Sequence, residues 1–296
     1  MRVLFMGTPE YAEIILKSLI SKYTIVGVYT QPDKMVGRKR VLTSPPVKIL
    51  AENNNISVFQ PNNLNNEIEN IKKLNPDFII VAAFGQILPK EILEIAPCIN
   101  LHASLLPKYR GASPIQSAIL NGDKWTGVTA MKMDIGLDTG DILAYQYCEV
   151  KDKNAPQLFD ELALIASELT LFVIENYKQI VPLKQNNAIS TYSPKITKKD
   201  GEICFDDALN IWRKYKAFFY WPGIWTDKFK IKKIKFIENI SNHNRGEILE
   251  IKKESAIIGC KNGTLEIFTI QPHSKKEMNI ISYLNGQRLK IGDSLF

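Results

Sequence analysis

Arg2-Val-Leu-Phe-Met-Gly7-Thr8-Pro9-Glu10 sets the class of the fold. An unbroken apolar run ends at a glycine and passes at once into a helix start, with Thr8 read as N-cap, Pro9 at the first helical position and an acid in the first turn. The run reads as a buried strand, and the helix is expected to reach about Leu19, before a second strand near Ile25–Thr30. The same pattern returns downstream. Pro76-Asp77 precedes the apolar run Phe78–Ala83 and then Gly85, and Ile95, Cys98, Ile99 and Leu101 mark a further strand. Strands alternating with helices imply an open, parallel α/β sheet. In such sheets sites form beyond the carboxyl ends of the strands. Gly7, Gly85 and the loop after His102 all fall at such ends.

The last of these strands carries Cys98-Ile-Asn100-Leu-His102 and runs into Ser104-Leu-Leu-Pro107-Lys-Tyr-Arg-Gly111. Further on comes Asp134-Ile-Gly-Leu-Asp138-Thr-Gly-Asp141. Positions i and i+2 of a strand share a face, so the amide of Asn100 and the imidazole of His102 converge. An amide donor, a titratable donor and a carboxylate to orient it suit acyl transfer through an oxyanion. The blander alternative is a hydrogen-bonded pair at a strand end, with the Asp138 stretch a plain hairpin. G-x-G-x-x-G and the P-loop pattern are absent, which argues against NAD or ATP. With three histidines (His102, His243, His273) and no paired Cys/His spacing, no metal is expected.

The chain of 296 residues is long enough for two domains. A long amphipathic helix is expected near Ala155–Tyr177, closing a first domain over 1–183, and polar, turn-rich text over 184–203 reads as a linker. From 204 to 296 the pattern is of short alternating strands, a small β-rich domain and candidate barrel. Asn262-Gly263 signals a hairpin, and Ser274-Lys-Lys-Glu277 reads as a capping box opening a short helix. No apolar stretch approaches the roughly 20 residues that span a bilayer. The N-terminus has no signal-peptide layout, and the four cysteines lie far apart, so a reducing, cytoplasmic setting is expected. A monomer is expected, since no spare amphipathic surface is evident.

The net charge is +7, and residues 204–296, with 16 Lys/Arg against 10 Asp/Glu, hold nearly all of it. This asymmetry suits an anionic partner. Arg38, Lys39 and Arg40 follow Gly37 in a βα loop, and Lys228, Lys230 and Lys232 take the outward parity of the strand 227–236. Its apolar residues change parity between Ile231 and Ile234, so a bulge is expected near Lys232-Lys233. A mobile basic surface loop and a lysine-guarded edge strand are the alternatives.

Asn100-x-His102-x-Ser104-Leu-Leu-Pro107-x-Tyr-Arg-Gly111 followed by Gly136-Leu-Asp138-Thr-Gly-Asp141 resembles the folate-dependent formyltransferases. Phe5-Met-Gly-Thr-Pro9, Thr30-Gln-Pro-Asp33, Val81-Ala-Ala-Phe-Gly85, Thr191-Tyr-Ser-Pro-Lys-Ile196, Trp221-Pro-Gly223 and Gly286-x-Arg288 extend the likeness over the whole chain, toward the branch that acts on aminoacylated tRNA. Lys216 and Tyr220 depart from it, where an arginine and a proline are expected. The resemblance implies an N-terminal Rossmann-like sheet of the formyltransferase fold and a C-terminal β-barrel of OB-like kind. It implies 10-formyltetrahydrofolate as co-substrate and initiator methionyl-tRNA as partner, the formyl group passing to the α-amino group of methionine. It makes Asn100, His102 and Asp138 catalytic, with Asp138 holding one imidazole nitrogen while the other faces the oxyanion. It assigns Ser104, Leu105, Leu106 and Pro107 to the folate, beside a slot formed by Phe84, Gly85, Gln86, Ile87 and Leu88. A sugar-nucleotide formyltransferase, a formyl-folate hydrolase and a non-catalytic RNA-binding protein are the competing readings.

Overall fold

The computed structural model describes residues 1–37 and 40–295. They form two compact units, one of Met1–Pro114, Lys124–Lys151 and Gln157–Pro194, the other of Ile115–Asp123, Asp152–Pro156 and Lys195–Phe296. Residues 184–194, part of the stretch read as linker, therefore pack with the first unit.

The first unit is built on seven strands: β1 (Arg2–Gly7), β2 (Thr24–Tyr29), β3 (Val58–Phe59), β4 (Phe78–Ala82), β5 (Cys98–His102), β6 (Trp125–Lys132) and β7 (Ile142–Glu149). Their order across the sheet is β7-β6-β5-β4-β1-β2-β3. β1 pairs in parallel with both β2 and β4, β4 with β5 and β2 with β3, whereas β6 and β7 close one edge antiparallel. Val3, Leu4, Phe5 and Met6 are all buried, as the unbroken run requires of a strand covered on both faces. The helix Glu10–Ile20 buries Tyr11, Ala12, Ile15, Leu16 and Leu19, one face at helical spacing. Ala155–Asn176 forms the long helix expected, with Leu158, Leu162, Ala166 and Val173 inward.

Strand order reverses between β1 and β4, the position where open α/β sheets form a crevice. Thr8 works here and not as a helix cap. Its hydroxyl donates to the Phe84 carbonyl at 3.1 Å and receives the Gln31 N–H at 3.4 Å, joining the ends of three strands. The helix starts one residue later, with Pro9 at the cap position and no side-chain cap.

The second unit carries a six-stranded antiparallel sheet of β8 (Ile224–Trp225), β9 (Phe229–Glu238), β10 (Ile248–Ile251), β11 (Ala256–Gly259), β12 (Thr264–Pro272) and β13 (Met278–Asn279). The order is β8-β9-β12-β11-β10, with β13 added on β12. No ladder joins β8 to β10 among the described residues. Phe229, Ile231 and Ile234 point inward and the ladder to β12 shifts register at Lys233, so the expected bulge is present. β11 and β12 form the Asn262-Gly263 hairpin, with Gly263 at φ +80°. The helix expected from Ser274 begins instead at Ile280, capped by the Asn279 side chain on the Ile281 N–H at 2.7 Å. Met278 and Asn279 are drawn into the sheet against β12, because Met278 packs on the core.

Candidate active site

β5 lies between β4 and β6, with Asn100 opposite Val81 and Met131 and His102 opposite Thr129. Central placement buries Cys98, Ile99 and Leu101 and leaves Asn100 half-buried at the carboxyl end. The Tyr11 hydroxyl donates to the Leu101 carbonyl at 3.2 Å and pins the strand just before His102. Burial raises the Tyr11 phenol well above its ordinary range, so it stays a neutral donor.

Asp138 reaches this point from the loop joining β6 and β7. It sits at φ +53°, a left-handed conformation that aspartate tolerates better than most residues. Asn100 Nδ2 donates to Asp138 Oδ1 at 3.3 Å, and the Gly111 N–H donates to Asp138 Oδ2 at 2.8 Å. His102 Nδ1 stands 3.7 Å from Asp138 Oδ2, with both side chains almost withdrawn from solvent. His102 Nε2 lies 2.8 Å from the Tyr109 carbonyl. A carbonyl only accepts, so Nε2 carries a proton. This differs from the expected arrangement. The backbone occupies one ring nitrogen, and Nδ1 is the nitrogen beside Asp138. The amide of Asn100 keeps a second N–H beyond the one given to Asp138.

Tyr109-Arg110-Gly111 thus grips both side chains through its backbone. The segment is itself held by parallel pairing of Arg110–Gly111 with Tyr192–Ser193, from the stretch read as linker. Three contributors escape a reading of the sequence: the Tyr109 carbonyl, the Arg110 side chain and Gln185. Gln185 Nε2 donates to the carbonyls of Asp138 and Gly140 at 2.9 and 2.7 Å. Nothing in its local sequence marks it. Arg110 stands within the Tyr-Arg-Gly run, and its burial is the signal that gives it away.

The residues expected at the folate are arranged in two ways. Ser104 is fully buried, its hydroxyl donating to the Lys108 carbonyl at 2.6 Å, so it braces the turn. Thr129 clamps the same turn, donating to the Ser104 carbonyl at 2.6 Å and accepting from the Leu106 N–H at 3.0 Å. Leu106 packs with Met131 and Ile142, while Leu105 and Pro107 remain half-buried. Phe84 and Leu88 point into the hydrophobic core, Gln86 Nε2 donates to the Pro61 carbonyl at 2.9 Å, and Ile87 is 82% exposed. Gly85 has φ +85°, and a methyl group placed on its Cα would meet no atom closer than 3.8 Å, so its backbone is open to approach.

Of the basic residues, Arg38 and Lys39 lie outside the described residues. Arg40 is exposed, just before the strand Val41–Thr43, which pairs with Lys34–Val36. On β9 and its approach, Lys228 and Lys232 are exposed and Lys230 is half-buried, with Lys232 paired to Glu277 at 3.0 Å. Among the described residues no group of three or more His, Cys, Asp or Glu could hold a metal, and no helix is long and apolar enough to cross a membrane.

Comparison with known proteins places this chain in a family. Residues 1–165 match the formyl transferase model and residues 195–288 match that of the formyl transferase C-terminal domain. The methionyl-tRNA formyltransferase of a Nitratiruptor species is 53% identical over the full length of both chains, and that of Sulfurimonas denitrificans is 50% identical, again over both full lengths. Among solved structures, the N-formyltransferase of Helicobacter canadensis in complex with folinic acid and dTDP-3-aminofucose superposes with a TM-score of 0.70 at 22% identity, covering 92% of this chain and 99% of that one. HypX from Aquifex aeolicus gives 0.66 at 18%, and there the match covers 99% of this chain but only 49% of the other. The structural matches speak for the fold alone, whereas the end-to-end sequence identity is decisive: the chain belongs to the formyltransferase family, on its methionyl-tRNA formyltransferase branch.

Proposed function

We propose that the chain moves the formyl group of 10-formyltetrahydrofolate to the α-amino group of methionine on initiator methionyl-tRNA, and that Asn100, His102 and Asp138 do the chemistry. The observation that carries this reading is that Asp138 lies 3.3 Å from Asn100 and 3.7 Å from His102 at the end of β5. The amine attacks the formyl carbon directly, because the donor is already an activated amide and needs no covalent enzyme intermediate. The tetrahedral oxyanion takes the second N–H of Asn100 and the Nδ1–H of doubly protonated His102. Asp138 Oδ2 balances the imidazolium. The proton shed by the amine passes through the carboxylate and bound water to the departing N10, so the site ends the cycle as it began. Ser104 takes no part as a nucleophile, since its hydroxyl is engaged on Lys108. Leu105, Pro107 and the exposed backbone around Gly85 and Ile87 are the surfaces offered to the folate.

The test is incubation with 10-formyltetrahydrofolate and charged initiator tRNA, followed by analysis for formyl-methionine, with a dTDP-amino sugar as rival acceptor. Formyl-methionine is the expected product. Formylation of the sugar without the RNA would overturn the reading.

Lysines on and beside β9, with Arg38, Lys39 and Arg40, supply the RNA surface in this reading. Phosphate contacts give affinity that falls steeply with salt. Binding of charged tRNA is therefore expected to weaken sharply between roughly 50 and 200 mM salt, as the handful of neutralised phosphates dictates, while folate binding changes little. Lys228→Gln should flatten the log–log salt slope by about 1. Lys232→Gln should do less, since Lys232 already shares its charge with Glu277. Filter binding at several salt concentrations reads both, and a flat response would remove this surface from the RNA site.

A further inference from the structure

We propose that Arg110 and Gln185 are positioning residues for Asp138: the buried guanidinium fixes which way the Gln185 carboxamide faces, and that carboxamide holds the Asp138 loop by its backbone, an inference that rests on the catalytic reading of Asp138 above.

Arg110 is 2% exposed. Its Nε and Nη2 both donate to Gln185 Oε1, at 3.1 and 2.8 Å, and Nη2 also donates to Asn187 Oδ1 at 2.8 Å. A guanidinium has donors only, so Gln185 must turn its oxygen toward it. The NH2 end is then forced onto the loop, where its two hydrogens meet the carbonyls of Asp138 and Gly140. The opposite orientation would set NH2 against guanidinium and oxygen against two carbonyls, losing all four bonds that Gln185 makes here. The orientation of the carboxamide therefore follows from the charge behind it.

The loop needs such a hold. Asp138 stands in a left-handed conformation, which costs energy unless its surroundings over-determine it. In front, Asn100 and the Gly111 N–H hold the carboxylate. Behind, Gln185 holds the carbonyls of Asp138 and of Gly140 two residues on. Arg110 also lies between Tyr109 and Gly111, whose backbone groups meet His102 and Asp138. One buried side chain thus ties the segment gripping the imidazole and carboxylate to the loop that delivers the carboxylate.

Gln185→Glu separates positioning from stability. The carboxylate matches the amide in shape, keeps the contacts to Arg110 and adds an ion pair, but has no N–H for the loop carbonyls. The melting temperature is expected to fall only modestly, the new ion pair with Arg110 offsetting part of the two loop bonds lost, so the variant stays folded. Turnover should fall about 10²-fold, the cost of a displacement of about 1 Å at a reacting group, with KM for folate and for methionyl-tRNA within about twofold. Arg110→Lys keeps the charge but not the fork, and should show the same loss of kcat with little change in KM. A second readout is independent of the reaction: hydrogen exchange of the peptide containing the Gly111 amide should speed up in Gln185→Glu as its Asp138 acceptor shifts. Unaltered exchange in a folded Gln185→Glu variant would overturn the proposal even if the reading of the reaction itself failed. Wild-type turnover in that variant would overturn it while leaving the reaction standing.

Discussion

His102→Ala should retain its fold and lose about 10²–10³ in kcat, the usual cost of removing one oxyanion donor. The ring meets both the backbone of the gripping segment and the Asp138 carboxylate. Its Nε2 is committed to the Tyr109 carbonyl at 2.8 Å, and its Nδ1 stands 3.7 Å from Asp138 Oδ2. Removing it deletes the Nδ1 donor and leaves a buried carbonyl without that partner. KM for tRNA should hold, because the lysines proposed to meet RNA are not among the donors proposed to meet the oxyanion. Asn100→Ala should show a loss of the same kind, since Asn100 is the other proposed donor and also makes one of the two bonds to the Asp138 carboxylate. Steady-state kinetics beside a thermal melt decide the matter. A folded His102→Ala that turns over at a near-normal rate would exclude the imidazole from the chemistry.

Gly111→Ala should damage stability and turnover together. Gly111 has φ +108°, and a methyl group there would lie 2.7 Å from the Ser193 carbonyl oxygen, a backbone atom that cannot swing aside. The left-handed strain alone costs on the order of 1–3 kcal/mol. Relief of the clash requires the paired segments Arg110–Gly111 and Tyr192–Ser193 to part. That movement carries the Gly111 N–H away from Asp138 Oδ2, so kcat should drop about 10²-fold through misplacement of the carboxylate. Gly292→Ala is the control. It has φ +91° but open space around the added methyl, so a modest loss of stability with unchanged turnover is expected. Should Gly111→Ala melt and turn over like Gly292→Ala, the backbone grip on Asp138 has no catalytic weight.

The two units differ in what their chemistry asks of the chain. In the first, strain and buried polar groups gather around β5 and its loops: Asp138 and Gly111 at positive φ, Arg110 buried, Thr129 clamping the turn after Ser104. In the second, the core cluster is apolar, and a buried polar group such as Glu266 is held by Ser255 and Lys252, away from any residue assigned to the chemistry.

Local rules account for much of this molecule. Apolar runs ending at Gly7 and near Gly85 are enough to announce a parallel sheet, because a strand buried on both faces has no polar residue to spare. Asn100 and His102 share a face because a strand repeats every two residues, and the bulge at Lys233 follows from the change of parity between Ile231 and Ile234. Each of these is a statement about neighbours a few positions apart. The remainder depends on which distant backbone groups arrive together. Thr8 looks like a cap until the Phe84 carbonyl, 76 residues away, takes its hydroxyl. Ser274 looks like a capping box until β12 pairs with Met278 and Asn279. Gln185 looks like linker until folding sets it between Arg110 and the Asp138 loop. Hydrogen bonds carry no record in the primary structure of which partner they choose, since every candidate donor and acceptor is already satisfied by water in the unfolded chain. Only packing removes the water and leaves a single partner within reach.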